Sequence, residues 1–186
     1  MTLRPLEIGD VPELATLVRA NRDFLAGSGP LRDEAYFTDA GQQASVARAI
    51  EAASQGTAHP MVIVDGTGAI VGTLNLNSII RGAFQSTSIG YWVSQERTGE
   101  GIATAAVSAA KEVAFGELGL HRIQGETLVD NVASQRVLLR NGFVRYGIAP
   151  DYLKIAGRWQ EHVLFQAIAP GRVSSAGDSG ARGGPG

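Results

Sequence analysis

The sequence predicts an α/β protein with one mixed sheet, mostly antiparallel and six- to seven-stranded, and helices on both of its faces. Three observations carry this expectation. Helical patterns come first along the chain, apolar runs rich in β-branched residues and broken by a tight-turn signal follow, and the second half alternates strand, helix, strand, helix, strand. The 186 residues are 44% hydrophobic and 18% charged. At this length a single core buries about two thirds of the unfolded surface without disulfides or a structural metal.

Each element has a local cause. Thr2–Arg4 reads as a short strand, and Asp10 is placed to cap a helix running to Ala20, with Pro12 in the first turn where a missing N–H is harmless. Helical signals return over Asp33–Phe37 and Asp39–Gln55. Pro60–Val64 and Ala69–Leu74 flank Asp65-Gly66-Thr67-Gly68 and predict a hairpin, because Asp-Gly supplies the positive φ of a tight turn. Ile89–Val93 is the next strand. Ile102, Ala106, Ala109 and Val113 recur at helical spacing and predict one helix from Ile102 to Leu118, stopped by Gly119. A strand over Arg122–Leu128, a helix capped by Asn131 and closed by Asn141-Gly142, and strands over Phe143–Ile148 and Trp159–Ile168 complete the unit. Residues 170–186, whose one large apolar side chain is Val173, read as a flexible Gly/Ser/Pro-rich tail, which leaves a single domain over residues 1–169.

Composition excludes several chemistries. The chain has no cysteine, which removes thiol nucleophiles, Cys-ligated zinc and disulfide frameworks, and its three histidines (His59, His121, His162) lack metal-ligand spacing. A formal charge of −2 gives no broad nucleic-acid footprint. The start Met1-Thr-Leu-Arg-Pro lacks a signal-peptide pattern and no apolar run has the length of a membrane span, so the expectation is a cytoplasmic protein.

The segment from Ile89 to Thr104 passes from a strand through a glycine-bearing turn straight into a helix. That arrangement aims unpaired N–H groups and the positive end of a helix dipole at one point, where an anion is stabilised. Gly99 and Gly101 let the backbone approach a bulky pyrophosphate, while Ala103 and Thr104 keep the first turn uncluttered; both glycines equally suit a plain strand-to-helix connection. The third glycine of a dinucleotide fingerprint and the lysine of a P-loop are both missing.

The run Thr98-Gly99-Glu100-Gly101-Ile102-Ala103 resembles the coenzyme A pyrophosphate loop of the GNAT superfamily, with Thr98 where that family carries Gln or Arg and Glu100 adding a negative charge. Asp130-Asn131-Val132-Ala133-Ser134, followed by Gly142-Phe143, resembles the superfamily element in which an Asn contacts the pantetheine arm and the residue three positions on lies beside the acetyl thioester. Read without that resemblance, Asn131 is an N-cap, Ser134 a first-turn residue and Asn141-Gly142 a left-handed C-cap. The segment Gly147–Leu164, with Tyr152, Gly157, Trp159 and His162 in place and Glu161 where the signature carries Asp, is similar to a signature of the ribosomal-protein-alanine N-acetyltransferases. Trp159, Val163 and Phe165 equally suit a core-facing strand, His121 and Arg122 a strand edge, and Glu161 and His162 either a strand edge or the acceptor cleft.

The resemblance implies a GNAT fold, acetyl coenzyme A as cofactor, and direct attack of an amine on the thioester in a ternary complex, which needs no covalent nucleophile. It implies a cofactor site made of Tyr91, Trp92 and Val93 on a splayed strand, Thr98, Gly99, Glu100, Gly101, Ile102, Ala103 and Thr104 on the loop, and Asn131 and Ser134 on the following helix. The tyrosine that many members place seven residues after the Asn is Leu138 here, which leaves Ser134 as the leaving-group acid. Glu34, Asn75 and Glu161 are candidate general bases, beside an ordered water. The acceptor expected is a primary amine, a protein or peptide N-terminus (ribosomal, with terminal alanine or serine) ahead of an antibiotic or polyamine. The remaining classes are a non-catalytic acyl-coenzyme A sensor and a nucleotide-binding module. No direct nucleic-acid or membrane partner is expected, and the protein is expected as a monomer or homodimer.

Overall fold

Alternation along the strands sets the architecture. In Met61-Val62-Ile63, successive side chains point to opposite faces, so both faces of the strand are apolar and both need cover. In a computed structural model, which describes residues 1–171, strands β1 (Thr2–Pro5), β2 (His59–Val64), β3 (Ile70–Ile80), β4 (Ser86–Val93), β5 (Arg122–Leu128), β6 (Val144–Ile155) and β7 (Arg158–Ile168) form one sheet in the order β1-β2-β3-β4-β5-β7-β6. Every neighbouring pair is antiparallel except β4 with β5. That exception follows from the connection, because parallel neighbours need a crossover and a helix supplies it here.

The helices are α1 (Val11–Ala20), α2 (Arg22–Ala26), α3 (Asp39–Ser54), α4 (Ile102–Glu112) and α5 (Val132–Arg140). Leu14 of α1 and Val46 of α3 pack with Val62 and Ile70 on one face. On the other face Met61, Ile63, Leu74, Ile89 and Phe165 meet Ile102, Ala106, Val107 and Ala110 of α4 and Leu138 of α5. The expected mixed sheet with helices on both faces is therefore the fold.

Local differences from the sequence reading have physical reasons. Asp10 precedes α1 but makes no side-chain cap there; its carboxylate takes two bonds from Arg4, at 2.7 and 2.9 Å, and the Glu7 N–H at 2.9 Å. Beyond Glu112 the long helix widens into a π-helical turn, Val113–Glu117, in which the Leu118 N–H reaches the Val113 carbonyl at 2.9 Å. Strand β6 runs past Pro150 to Ile155 because it is an edge strand: a bulge between Ala149 and Leu153, with Asp151 at φ 46°, absorbs a residue that has no N–H to give. The tail expected from residue 170 lies outside the described residues from position 172 on.

Candidate active site

The ladder between β4 and β5 is short. It joins Ser86–Ser88 to Arg122–Gln124 and stops. From Ile89 to Val93 strand β4 is paired with β3 alone, and from Gly125 to Leu128 strand β5 is paired with β7 alone. The two strands part at the end nearest the N-termini of α4 and α5, so the backbone groups of β4 that point away from β3 lack a strand partner there. An unpaired strand edge inside a sheet is a site for an extended ligand with amide groups of its own.

The α4 terminus opens beside that gap. Gly101 is its N-cap at φ 79°, ψ 0°, and Gly99 stands at φ 85°. A Cβ at either position would meet nothing within 4 Å, so left-handed backbone and not crowding demands glycine. The first helical bond is Ala105 N–H to Gly101 O at 3.0 Å, and among the described residues the N–H groups of Ile102, Ala103 and Thr104 have no acceptor. Thr98 donates its hydroxyl to Gln95 O at 2.7 Å, which closes the turn before the glycines.

The added charge of Glu100 is paired in place. Arg97 Nε donates to its two oxygens at 3.0 and 3.1 Å, and Arg97 also donates to Asp65 at 2.6 Å. Thr67, Arg97 and the Ala69 N–H hold the Asp65 carboxyl well below its usual range. The β2–β3 turn thus anchors the loop from outside. Asn21 anchors it from inside: 3% exposed, it accepts from the Gln95 N–H at 2.8 Å and meets Ser94 Oγ at 3.2 Å, while its amide donates to Leu17 O at 2.8 Å. Sequence reasoning missed this residue, since nothing local marks an Asn at the end of α1 as a partner for position 95.

Asn131 caps α5, its Oδ1 accepting the Ser134 N–H at 3.0 Å. The Tyr91 hydroxyl crosses from β4 and lies 2.9 Å from Ser134 Oγ, and burial pushes the phenol up to about 12. Val93 is buried on the same face as Tyr91, and Trp92 is half-buried on the opposite one. Leu138 is 1% exposed, and a Cβ on Gly125 would come within 3.0 Å of it. Where the wider superfamily carries a tyrosine, this chain has a core leucine.

On the α1 and α3 face, a cleft of about 280 Å³ lies over the paired stretch of β4 and β5 beside the β3–β4 turn, lined by Ser78, Phe84, Ser86, Gln124, Glu126 and Tyr152, among others. Glu126 is the first residue beyond Gln124 on that face, so it stands at the mouth of the opening. Burial raises its carboxyl pKa, against a smaller lowering from its own backbone N–H, and among the described residues its side chain has no ion pair. The β6 bulge brings Tyr152 over the cleft, its ring 5.8 Å from that of His162, whose Nδ1–H donates to Gln160 O at 2.8 Å. Glu126 was missed because its setting depends on three strands at once; the period-2 alternation of Arg122, Gln124 and Glu126 on one face of a buried strand was the available signal.

The three sequence-predicted bases lie at different distances from this opening, Asn75 beside the stretch where β4 has left β5. Glu34 is exposed and bonded to Arg22, which lowers its pKa. Asn75 sits opposite Gly90 on β3, and Glu161 lies in a separate open depression of about 490 Å³ with Arg158 and Trp159. Among the described residues no His, Asp or Glu cluster suits a metal, and no helix is long and apolar enough to cross a membrane.

Residues 1–144 match the acetyltransferase (GNAT) domain model. The chain is 36% identical over 169 residues to the probable N-acetyltransferase YjcK of Bacillus subtilis, covering 90% of this chain and 93% of that one. It is 32% identical over 171 residues to the ribosomal protein uS5-alanine N-acetyltransferase of Escherichia coli, covering 91% and 88%. Its structure is similar to that of Mycobacterium smegmatis RimJ in complex with CoA-disulfide, with a TM-score of 0.86 at 31% identity over 90% of this chain and 81% of that one. Fold, family model and full-length relatives agree: the chain belongs to the acetyltransferase (GNAT) family.

Proposed function

We propose that this GNAT acetyltransferase, whose acyl donor is acetyl coenzyme A, acetylates the α-amino group at a protein N-terminus, with a ribosomal protein bearing terminal alanine or serine as the preferred acceptor. The observation that carries the reading is the parting of β4 from β5 between a bare helix terminus and an unpaired carboxylate. Likeness along nine-tenths of the chain to a uS5-alanine N-acetyltransferase supports the acceptor class. So does a cleft of about 280 Å³, which suits a terminal amine with a small first side chain better than a multi-ring drug.

The residues present fit the donor. The N–H groups of Ile102, Ala103 and Thr104 and the α4 dipole receive the pyrophosphate on a turn shaped by Thr98, Gly99, Glu100 and Gly101. The free edge of Tyr91, Trp92 and Val93 pairs with the pantetheine amides, and one of its N–H groups stabilises the carbonyl oxygen. Asn131 keeps its amide N–H₂ for the same arm, since only its oxygen is used by the cap. Bound there, acetyl coenzyme A supplies an acetyl group activated as a thioester. With the donor bound, Glu126 would take the proton from the attacking nitrogen, and Ser134 Oγ would hydrogen-bond the departing thiolate sulfur, which takes its own proton from water. The catalytic unit is residues 1–169, with the tail outside it.

Two measurements test this reading. Gly101→Val places a β-branched side chain at φ 79°; strain of about 1–3 kcal/mol disorders the anion site, and the acetyl-coenzyme A Kd should rise by about 10- to 100-fold in a folded variant. Unchanged affinity by calorimetry would remove the loop assignment. A panel of peptides with terminal Ala, Ser or a bulky residue, run beside aminoglycosides and spermidine, should give the highest kcat/KM for the Ala and Ser peptides. Preference for a small-molecule amine would overturn the acceptor.

A further inference from the structure

We infer that Tyr91 is a positioning residue for Ser134: its hydroxyl donates to Ser134 Oγ and leaves the serine proton free for another acceptor. The inference rests on the leaving-group role proposed above for Ser134. Tyr91 shares a strand face with Ile89 and Val93, toward α4 and α5, and its hydroxyl spans the gap where β4 and β5 have parted. It meets two atoms of one residue, Ser134 Oγ at 2.9 Å and the Ser134 carbonyl oxygen at 3.3 Å.

Two proton arrangements satisfy those contacts. In the first, Tyr91 donates to Oγ and the serine proton is unengaged. In the second, Tyr91 donates to the Ser134 carbonyl while Ser134 donates back to the phenol, which locks the serine proton into a closed circuit. The 2.9 Å contact admits either oxygen as donor, so it fixes the pair and not the direction of the proton. A serine that hydrogen-bonds a departing sulfur must have its own proton free, and only the first arrangement leaves it so; that is the arrangement inferred.

Burial keeps the phenol protonated, so Tyr91 stays a donor at every working pH. Neither the phenol, pushed up to about 12, nor a serine hydroxyl is acidic enough to hand a proton outright to a thiolate whose conjugate thiol has a pKa near 8.5, so Ser134 acts through a hydrogen bond that strengthens as sulfur leaves and the thiolate takes its proton from water. Tyr91 stays protonated throughout the cycle. It fixes the direction of the serine hydroxyl and polarises it, since a hydroxyl that accepts a hydrogen bond donates a stronger one. Asn131 holds the Ser134 backbone from the other side, so main chain and side chain are both fixed before the reaction.

Tyr91→Phe keeps the ring and removes the donor. It should lower kcat by about 5- to 30-fold, leave acetyl-coenzyme A affinity within about twofold, and leave the melting temperature nearly unchanged. The decisive readout is the double variant. With Ser134→Ala in place the phenol has nothing to orient, so Tyr91→Phe/Ser134→Ala should be no slower than Ser134→Ala alone. A Tyr91→Phe enzyme with wild-type or higher kcat, or a double variant slowed by the product of the single effects, overturns the inference while a slow Ser134→Ala still supports the leaving-group role. A fast Ser134→Ala enzyme removes that role, and the inference with it.

Discussion

Glu126→Gln is expected to lower kcat/KM for the amine acceptor by about 10²- to 10⁴-fold, the range for losing a positioned general base. Acetyl-coenzyme A affinity should be unchanged, because Glu126 stands on the sheet face opposite α4 and α5. The pH dependence gives the stronger test. Burial disfavours the ionised carboxyl, so its pKa lies above the ordinary glutamate range. Only the ionised form takes a proton, so the rate should fall as pH drops through that raised pKa, and the limb should vanish in the Gln variant. Stability moves the other way. Between the unfolded and the raised folded pKa the native state binds more protons than the unfolded one, so this group's contribution is full at acid pH and is lost as pH rises through the folded value. At neutral pH the Gln variant, which buries no charge, should melt at or above wild type. A variant that keeps its rate, or keeps its acidic limb, would assign the base to water.

Ser134→Ala is expected to lower kcat by roughly 10- to 10³-fold with little change in acetyl-coenzyme A Kd. Ser134 occupies the first turn of α5, where the helix dipole favours developing negative charge, and its Oγ already holds a buried partner in Tyr91. The position of the tyrosine that many superfamily members use is filled by Leu138, in the core against Gly125. If Ser134 merely completed the helix start, the alanine variant would turn over within about twofold of wild type, since Asn131 caps the same turn through the Ser134 backbone N–H and not through its side chain. Steady-state kinetics on the folded variant separates these outcomes.

The sheet, its helices on both faces and the glycine turn ahead of α4 were legible because their causes are local. Asp65–Gly68 makes the expected turn, although Gly68 (φ 92°) and not Gly66 takes the positive φ, Ile102 to Ala110 repeat at helical spacing, and Gly99 and Gly101 mark left-handed backbone. Three elements escaped for the opposite reason. Helix α2 spans five residues without a capping side chain, the π-helical turn at Val113–Glu117 preserves the helical apolar pattern, and β6 outlasts Pro150 only because its outer edge has no neighbour. The loop glycines and Ser134 could be singled out from motif spacing. Glu126, Asn21 and the Tyr91–Ser134 contact could not, since each is defined by a partner on another element: Asn21 and Ser94 are 73 positions apart, and Tyr91 and Ser134 are 43 apart. The Arg97 pair also removes an apparent conflict, because a glutamate beside the proposed pyrophosphate site looks unfavourable until its cation is found.

The central claim is direct transfer of acetyl from acetyl coenzyme A to a free α-amine, and the measurement that meets it most directly is thiol release followed together with the mass of an Ala-terminal peptide. One thiol released per acetylated peptide, with none released when the same peptide carries a blocked N-terminus, is the result predicted. Tight binding of acetyl coenzyme A without thiol release for any amine, or release at the same rate with the blocked peptide, would contradict it.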